Sequence, residues 1–281
     1  MASNNIYMRY PGGVAKALTL SYDDGVQQDK RLMEIINAHG LKCTFNINSG
    51  CFAPEGTEYA EGTIHRRMTE RECVELYKNS GHEVAVHSLT HPFLEKINPA
   101  RVSYEVLKDR ENLERLFGGI VRGMAYPMGT FSDAVVEAIK NCGIAYSRTT
   151  VSTERFSIPT DWLRMPATCH HKNPRLMELA QKFTEAEMQK KHPMLFYLWG
   201  HSYEFENNDN WNVIEEFAEY MGGRDDIWYA TNIEIYEYVE AYRALVFSAD
   251  GSVITNPTST TLCFEHDCKL RTIAPGETVT L

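Results

Sequence analysis

Between residues 14 and 245 the chain alternates short apolar or β-branched runs with segments of helical period. That alternation limits its possible folds more than any other feature. VAKALTLS (14–21) reads as a buried strand, and Asp29 to His39 carries Leu32, Met33, Ile35 and Ile36 at helical spacing before a stop at Gly40. CTFNINS (43–49) is the second strand, and Thr69 with Glu72 forms a capping box for a helix to Asn79. HEVAVHS (82–88), GMAYP (123–127), IAYSRT (144–149), MLFYLW (194–199) and IWYATN (227–232) continue the strands. Helices are predicted between them over 98–117, 132–142, 210–221 and 234–245, and one opens at Asn173-Pro174. Strands separated by helices require right-handed crossovers and a parallel sheet. About seven strands at this length suit a barrel better than an open sheet, and no G-x-G-x-x-G follows the first strand.

The expected fold is therefore α/β, a distorted (β/α)7-8 barrel over residues 1–245. Beyond Val246 the pattern changes to Asp250-Gly251, Asn256-Pro257 and Pro275-Gly276 turns between β-branched runs. Residues 246–281 are predicted to be a short β-rich C-terminal appendage. Tyr10 to Gly13 is predicted to turn tightly into the first strand. Residues 50–67 have many turn formers and no period, as expected of a binding loop.

A net charge of −10 argues against an electrostatic grip on nucleic acid or an anionic membrane. No run is long and apolar enough to span a bilayer, and the N-terminus lacks a secretory pattern. The seven cysteines include no C-x-x-C pair and are expected to be reduced thiols in a cytoplasmic protein. Nothing in the sequence specifies an oligomeric state.

Barrel chemistry gathers at the carboxyl ends of the strands. There the sequence places Asp23-Asp24-Gly25, His87-Ser88-Leu89-Thr90-His91-Pro92, Tyr126-Pro127-Met128-Gly129 and Gly200-His201-Ser202-Tyr203-Glu204. Two imidazoles and one carboxylate can hold a catalytic zinc with an open position. Either aspartate could be the ligand, which leaves its neighbour as a general base beside a metal-bound water.

L-S-Y-D-D-G resembles the T-F-D-D-G motif of the polysaccharide deacetylases, carbohydrate esterase family four, and H-S-L-T-H matches that family's H-[ST]-x-x-H. The resemblance implies that Asp23 is the base and that Asp24, His87 and His91 bind a divalent ion, zinc ahead of cobalt, nickel or manganese. Ser88 would brace the loop through a hydrogen bond. The family's R-x-P-Y-G motif aligns with Ala125 to Gly129, so Ala125 stands where the resemblance expects an arginine that orients the base. Arg122 is the nearest substitute. The Met128 N–H would help to hold an oxyanion. D-x-x-D-W survives only as Thr160-Asp161-Trp162, and Leu198 to His201 supplies a candidate general acid, His201. Tyr126, Trp162, Trp199, Trp211 and His170 are candidate substrate contacts, and Thr168-Cys169-His170-His171 is expected to line the cleft or pack.

The implied activity is metal-dependent removal of N- or O-acetyl groups from a carbohydrate. Three alternatives remain: an amidohydrolase of the same fold acting on a small cyclic imide or ureide, a mononuclear iron oxygenase, and an inactive sugar-binding module. The altered third motif and missing secretion signal favour the first of these. Base, ligands and acid together favour hydrolysis over the other two.

Overall fold

The computed structural model describes residues 6–187 and 192–281. Strand β1 (Ile6–Arg9) precedes the barrel. There follow β2 (Lys16–Asp23), α1 (Asp29–Ala38), β3 (Cys43–Ile47), α2 (Glu70–Tyr77), β4 (Glu83–Val86), α3 (Pro99–Phe117), β5 (Gly123–Ala125), α4 (Asp133–Asn141) and β6 (Tyr146–Ser152). The short strands β7 (Met165–Ala167) and β8 (Cys169–His170) lead to α5 (Leu176–Glu185), β9 (Met194–Gly200), α6 (Tyr203–Asn207), α7 (Asn212–Met221), β10 (Ile227–Tyr229) and α8 (Asn232–Arg243). Helices begin where the sequence offers caps: the Thr69–Glu72 box, Asn98 before Pro99, Ser132, and a second box at Thr231–Glu234.

The strands run parallel in the order β7-β6-β5-β4-β3-β2-β9-β8. β7 and β8 are at opposite ends of this order, yet Thr168 alone separates them in the chain. Its N–H donates to the Tyr197 carbonyl at 2.9 Å, so the two ends meet and the sheet closes into a barrel. The distortion is at β2. β3 pairs only with its upper half, Leu20–Asp23, while β10 takes the lower half, Lys16–Leu18.

Alternation along the strands divides the side chains into two sets. Leu18, Leu20, Tyr22, Phe45, Ile47 and Met124 pack outward against helical residues such as Leu32, Ile36, Val106, Ile139 and Phe217. The inward set is polar: Thr19, Ser21, Asp23, Thr44 and Asn46, all buried. The start of α8 plugs the floor. Asn232 accepts from Thr19 Oγ1 at 2.9 Å and donates to the Tyr197 hydroxyl at 2.8 Å. Glu83 accepts from the Thr44 and Tyr146 hydroxyls and from the Ile233 N–H at 2.7 to 2.9 Å. Buried polar groups of this kind are tolerated because they are paired.

Beyond the barrel, β11 (Val246–Phe247), β12 (Val253–Thr255) and β15 (Thr278–Thr280) form one antiparallel sheet. A second sheet joins β13 (Leu262–His266) and β14 (Lys269–Ile273) to β1. The two chain ends are thus joined, with buried Arg9 paired to Glu265 at 2.8 Å. Met8, Tyr10, Tyr238, Ile254, Leu262 and Phe264 form a second apolar core that reaches Ala17 and Leu195 in the barrel. Pro11 to Gly13 makes the turn expected before the first barrel strand. The sequence reading did not anticipate β1, β7, β8 or α6, all short and without clear periodicity. All cysteines among the described residues are free.

Candidate metal and catalytic site

β2 ends at Asp23, and the chain then turns sharply: Asp24 has φ 88 and Gly25 φ 67. The turn sends the adjacent carboxylates to different partners. Asp23 points into the barrel mouth, where Asn46 Nδ2 donates to Oδ1 at 2.8 Å and the Arg148 guanidinium closes on Oδ2. Asp24 turns toward the loop after β4. Its Oδ1 lies 3.8 Å from His91 Nε2 and 4.0 Å from His87 Nε2, and the two imidazole nitrogens are 3.1 Å apart.

Ligand atoms of Asp24, His87 and His91 lie close enough together to hold a metal ion. The donor chemistry fits. His87 Nδ1 is 2.8 Å from the Ala125 carbonyl, so this nitrogen carries the proton and Nε2 is left bare toward the cluster. Burial pushes the His87 imidazole down to about 4, against the pull of Asp23, so it is neutral as a ligand must be. The loop is braced by its backbone: Thr90 N–H donates to buried Glu105 at 2.8 Å, and Asn48 Nδ2 donates to the Ser88 carbonyl at 2.8 Å. Ser88 Oγ finds no hydrogen-bond partner among the described residues, contrary to its expected bracing role; the backbone makes these bonds instead.

Burial alone would raise the Asp23 carboxyl. Arg148 first, then His87 and His201, more than reverse this and hold it below the ordinary carboxylate value. Arg148 is the main residue that sequence reasoning missed. Arg122 faces solvent and pairs with Glu237 at 3.2 Å, away from Asp23. Ala125 and Arg148 are ladder partners on β5 and β6, so the guanidinium comes from the neighbouring strand.

His201 Nε2 lies 3.8 Å from Asp23 Oδ2, and its Nδ1 faces Glu204 Oε2 at 3.6 Å. Burial disfavours the imidazolium, but Glu204, with Asp23 and Asp24, outweighs it and raises the His201 pKa. His170 and His171 approach the same Glu204 oxygen at 3.2 and 3.1 Å, and Lys172 Nζ takes the other at 2.7 Å. His170, His171 and Glu204 lie close enough to ligate a second ion. However, the Lys172 N–H donates to His170 Nδ1 at 3.0 Å, which places the His170 proton on Nε2, facing Glu204. In that tautomer His170 offers Glu204 a proton and no lone pair, while Lys172 Nζ is the hydrogen-bond donor that holds the carboxylate. His171 packs so tightly on β9 that a Cβ at Gly200 would fall 2.1 Å from its Nδ1.

Asp23, Asp24, His87, His91, Tyr126, Met128, Arg148, Trp199, His201 and Tyr203 line one cavity of about 290 Å³. The Tyr126 hydroxyl is engaged by the Leu163 carbonyl at 2.7 Å. Trp199 cannot serve as an open stacking platform, because Arg148 lies 4.2 Å over its ring and His170 meets it edge-on. Its indole N–H is buried with no hydrogen-bond partner among the described residues. Trp162 is away from the cavity, with Nε1 bonded to Glu240 at 2.7 Å, and Asp161 pairs with Arg164. Trp211 packs on Phe205 and under Arg31, also outside the cavity. The 50–67 loop packs behind the lining residues Asp24 and Tyr203. His65 meets Asp24 Oδ2 at 3.2 Å, and Arg66 forks onto Glu206 of α6 at 2.7 and 2.8 Å.

The closed parallel barrel thus carries these side chains together at its strand ends. Residues 9–147 match the family model for polysaccharide deacetylase, and the chain belongs to that family. It is 27% identical over 156 residues to a chitooligosaccharide deacetylase of Sinorhizobium fredii, covering 54% of this chain and 63% of that protein. Protein YlxY of Bacillus subtilis, uncharacterized, is 25% identical over 132 residues, which cover 47% of this chain and 37% of YlxY. The chain thus spans less than two thirds of these curated relatives. A solved Mycobacterium smegmatis structure assigned to the polysaccharide deacetylases shares the fold with a TM-score of 0.61 at 16% identity, over 84% of this chain and 94% of that one. No helix among the described residues is long and apolar enough to cross a membrane.

Proposed function

We propose that the protein is a metal-dependent hydrolase that removes an acetyl group from a carbohydrate. The observation that carries this reading is that Asp24, His87 and His91 bring their ligand atoms together while the adjacent Asp23 is held by Arg148 and Asn46 within reach of the same cluster. Asp24, His87 and His91 would hold the ion, zinc by donor type, which when bound polarises an acyl oxygen and acidifies a water. Asp23, kept ionised by Arg148 and oriented by Asn46, takes the proton of the attacking water. The Met128 N–H, at the rim of the cavity, supports the developing oxyanion. His201, with Nδ1 toward Glu204, gives its Nε2 proton to the leaving nitrogen or oxygen.

The cavity of about 290 Å³, lined by Tyr203 with His65 packed edge-on against that ring, favours a monomer or short oligosaccharide over insoluble polymer. The test is acetate release from chitin oligomers of graded length, with metal stripped and then restored. Release that needs the ion supports the reading. Hydrolysis of a cyclic imide with no acetate from any sugar would transfer it to a small-ring amide substrate.

A further inference from the structure

We propose that Arg67 and Asn48 form a positioning clamp that sets the metal affinity of the site by fixing Asp24 against the His87 loop. The proposal rests on the reading of Asp24, His87 and His91 as ligands. Arg67 closes the 50–67 loop, and its side chain is largely buried. One guanidinium nitrogen is 2.9 Å from Asp24 Oδ1. The other reaches the Asp24 carbonyl and, at 2.9 Å, Asn48 Oδ1. Asn48, 1% exposed, passes the connection on through Nδ2 to the carbonyls of His87 and Ser88. An unbroken hydrogen-bonded path therefore joins the Asp24 carboxylate to the backbone that carries the His87 imidazole.

The loop is anchored where the clamp needs it. Arg67 bridges Val26, the Met68 N–H donates to the Gly25 carbonyl at 3.1 Å, and the Gln27 N–H donates to the Arg66 carbonyl at 2.8 Å. Asp24, Ser88 and His91 all have φ between 57 and 88. Residues other than glycine adopt that region only where their surroundings hold them. The clamp grips the first two directly.

Two effects of Arg67 oppose each other. Its positive charge repels a nearby cation, while its fork keeps Oδ1 in place. Contacts that orient a metal ligand typically change affinity by about 10–100-fold when removed, and the buried, multiply bonded guanidinium here favours orientation. Lysine offers a point charge and no fork, so it separates the two effects.

The experiment titrates the metal-free full chain with Zn²⁺ against a chromophoric chelator. Arg67→Ala and Asn48→Ala should weaken Zn²⁺ binding by about 10–100-fold, and the double variant should lose little more than the worse single one. Arg67→Lys should restore little of the loss, although it restores the charge. The Tm of each metal-free variant shows whether it is folded, and Arg67→Gln replaces any that is not. Unchanged or tighter Zn²⁺ binding in folded Arg67→Ala or Arg67→Gln, while Asp24→Ala loses the metal, overturns the clamp. Retention of Zn²⁺ by Asp24→Ala would instead overturn the ligand assignment.

Discussion

Arg148 sits opposite Ala125 in the β5–β6 ladder, and its guanidinium closes on the Asp23 carboxylate. Arg148→Ala should leave Asp23 buried without its main counter-charge, raise its pKa and cost about 10²-fold or more in turnover, the scale of general base catalysis. Because the two positions are ladder partners, Arg148→Ala combined with Ala125→Arg should recover at least about a tenth of that loss. Wild-type turnover in Arg148→Ala would remove the arginine from the site.

Asp24→Ala, His87→Ala and His91→Ala should each lose the metal, since two ligands make a weak site. Elemental analysis after dialysis reads this directly. Full occupancy in any one of them removes that residue from the ligand set.

Asp23→Asn should retain both metal and fold while losing about 10²–10⁴-fold in rate, because the amide cannot accept the water proton. Turnover at wild-type speed would mean that the base lies elsewhere.

His201 must be protonated to act as an acid, and Glu204 raises its pKa. Activity should therefore fall on the alkaline side as His201 loses its proton. Glu204→Gln removes an anion that favours the imidazolium, so the fall should begin at lower pH. His201→Ala should slow an amide substrate more than an aryl acetate, whose phenolate leaves without a proton. Equal losses on both substrates, with an unmoved alkaline limb in Glu204→Gln, would reduce His201 to a binding role.

The barrel was legible because its strands and helices carry their own signals: period, caps and stop residues. The Thr69 box, for example, starts a helix without tertiary help. The cluster at the mouth could be anticipated because Asp23, Asp24, His87, His91 and His201 all lie at strand ends. Arg148 could not, because motif spacing points along one strand while the ladder reaches across to the next. Arg67 was hidden for a related reason, since a loop brings it in and no period marks loop residues. Trp162 shows the converse, a local motif remnant whose indole is spent on Glu240, away from the mouth.

The single-residue junction at Thr168 bears on how the molecule behaves among its own kind. An open parallel sheet presents bare N–H and C=O rows onto which a second chain can add a strand. Here the strands that would carry those rows are consecutive in the chain and folded toward each other, with the Thr168 N–H already bonded to Tyr197. Lengthening the junction by one residue would invert the inward and outward faces of one neighbour and loosen the seam. Such an insertion should turn a self-contained barrel into one prone to aggregate, even with every residue of the mouth intact.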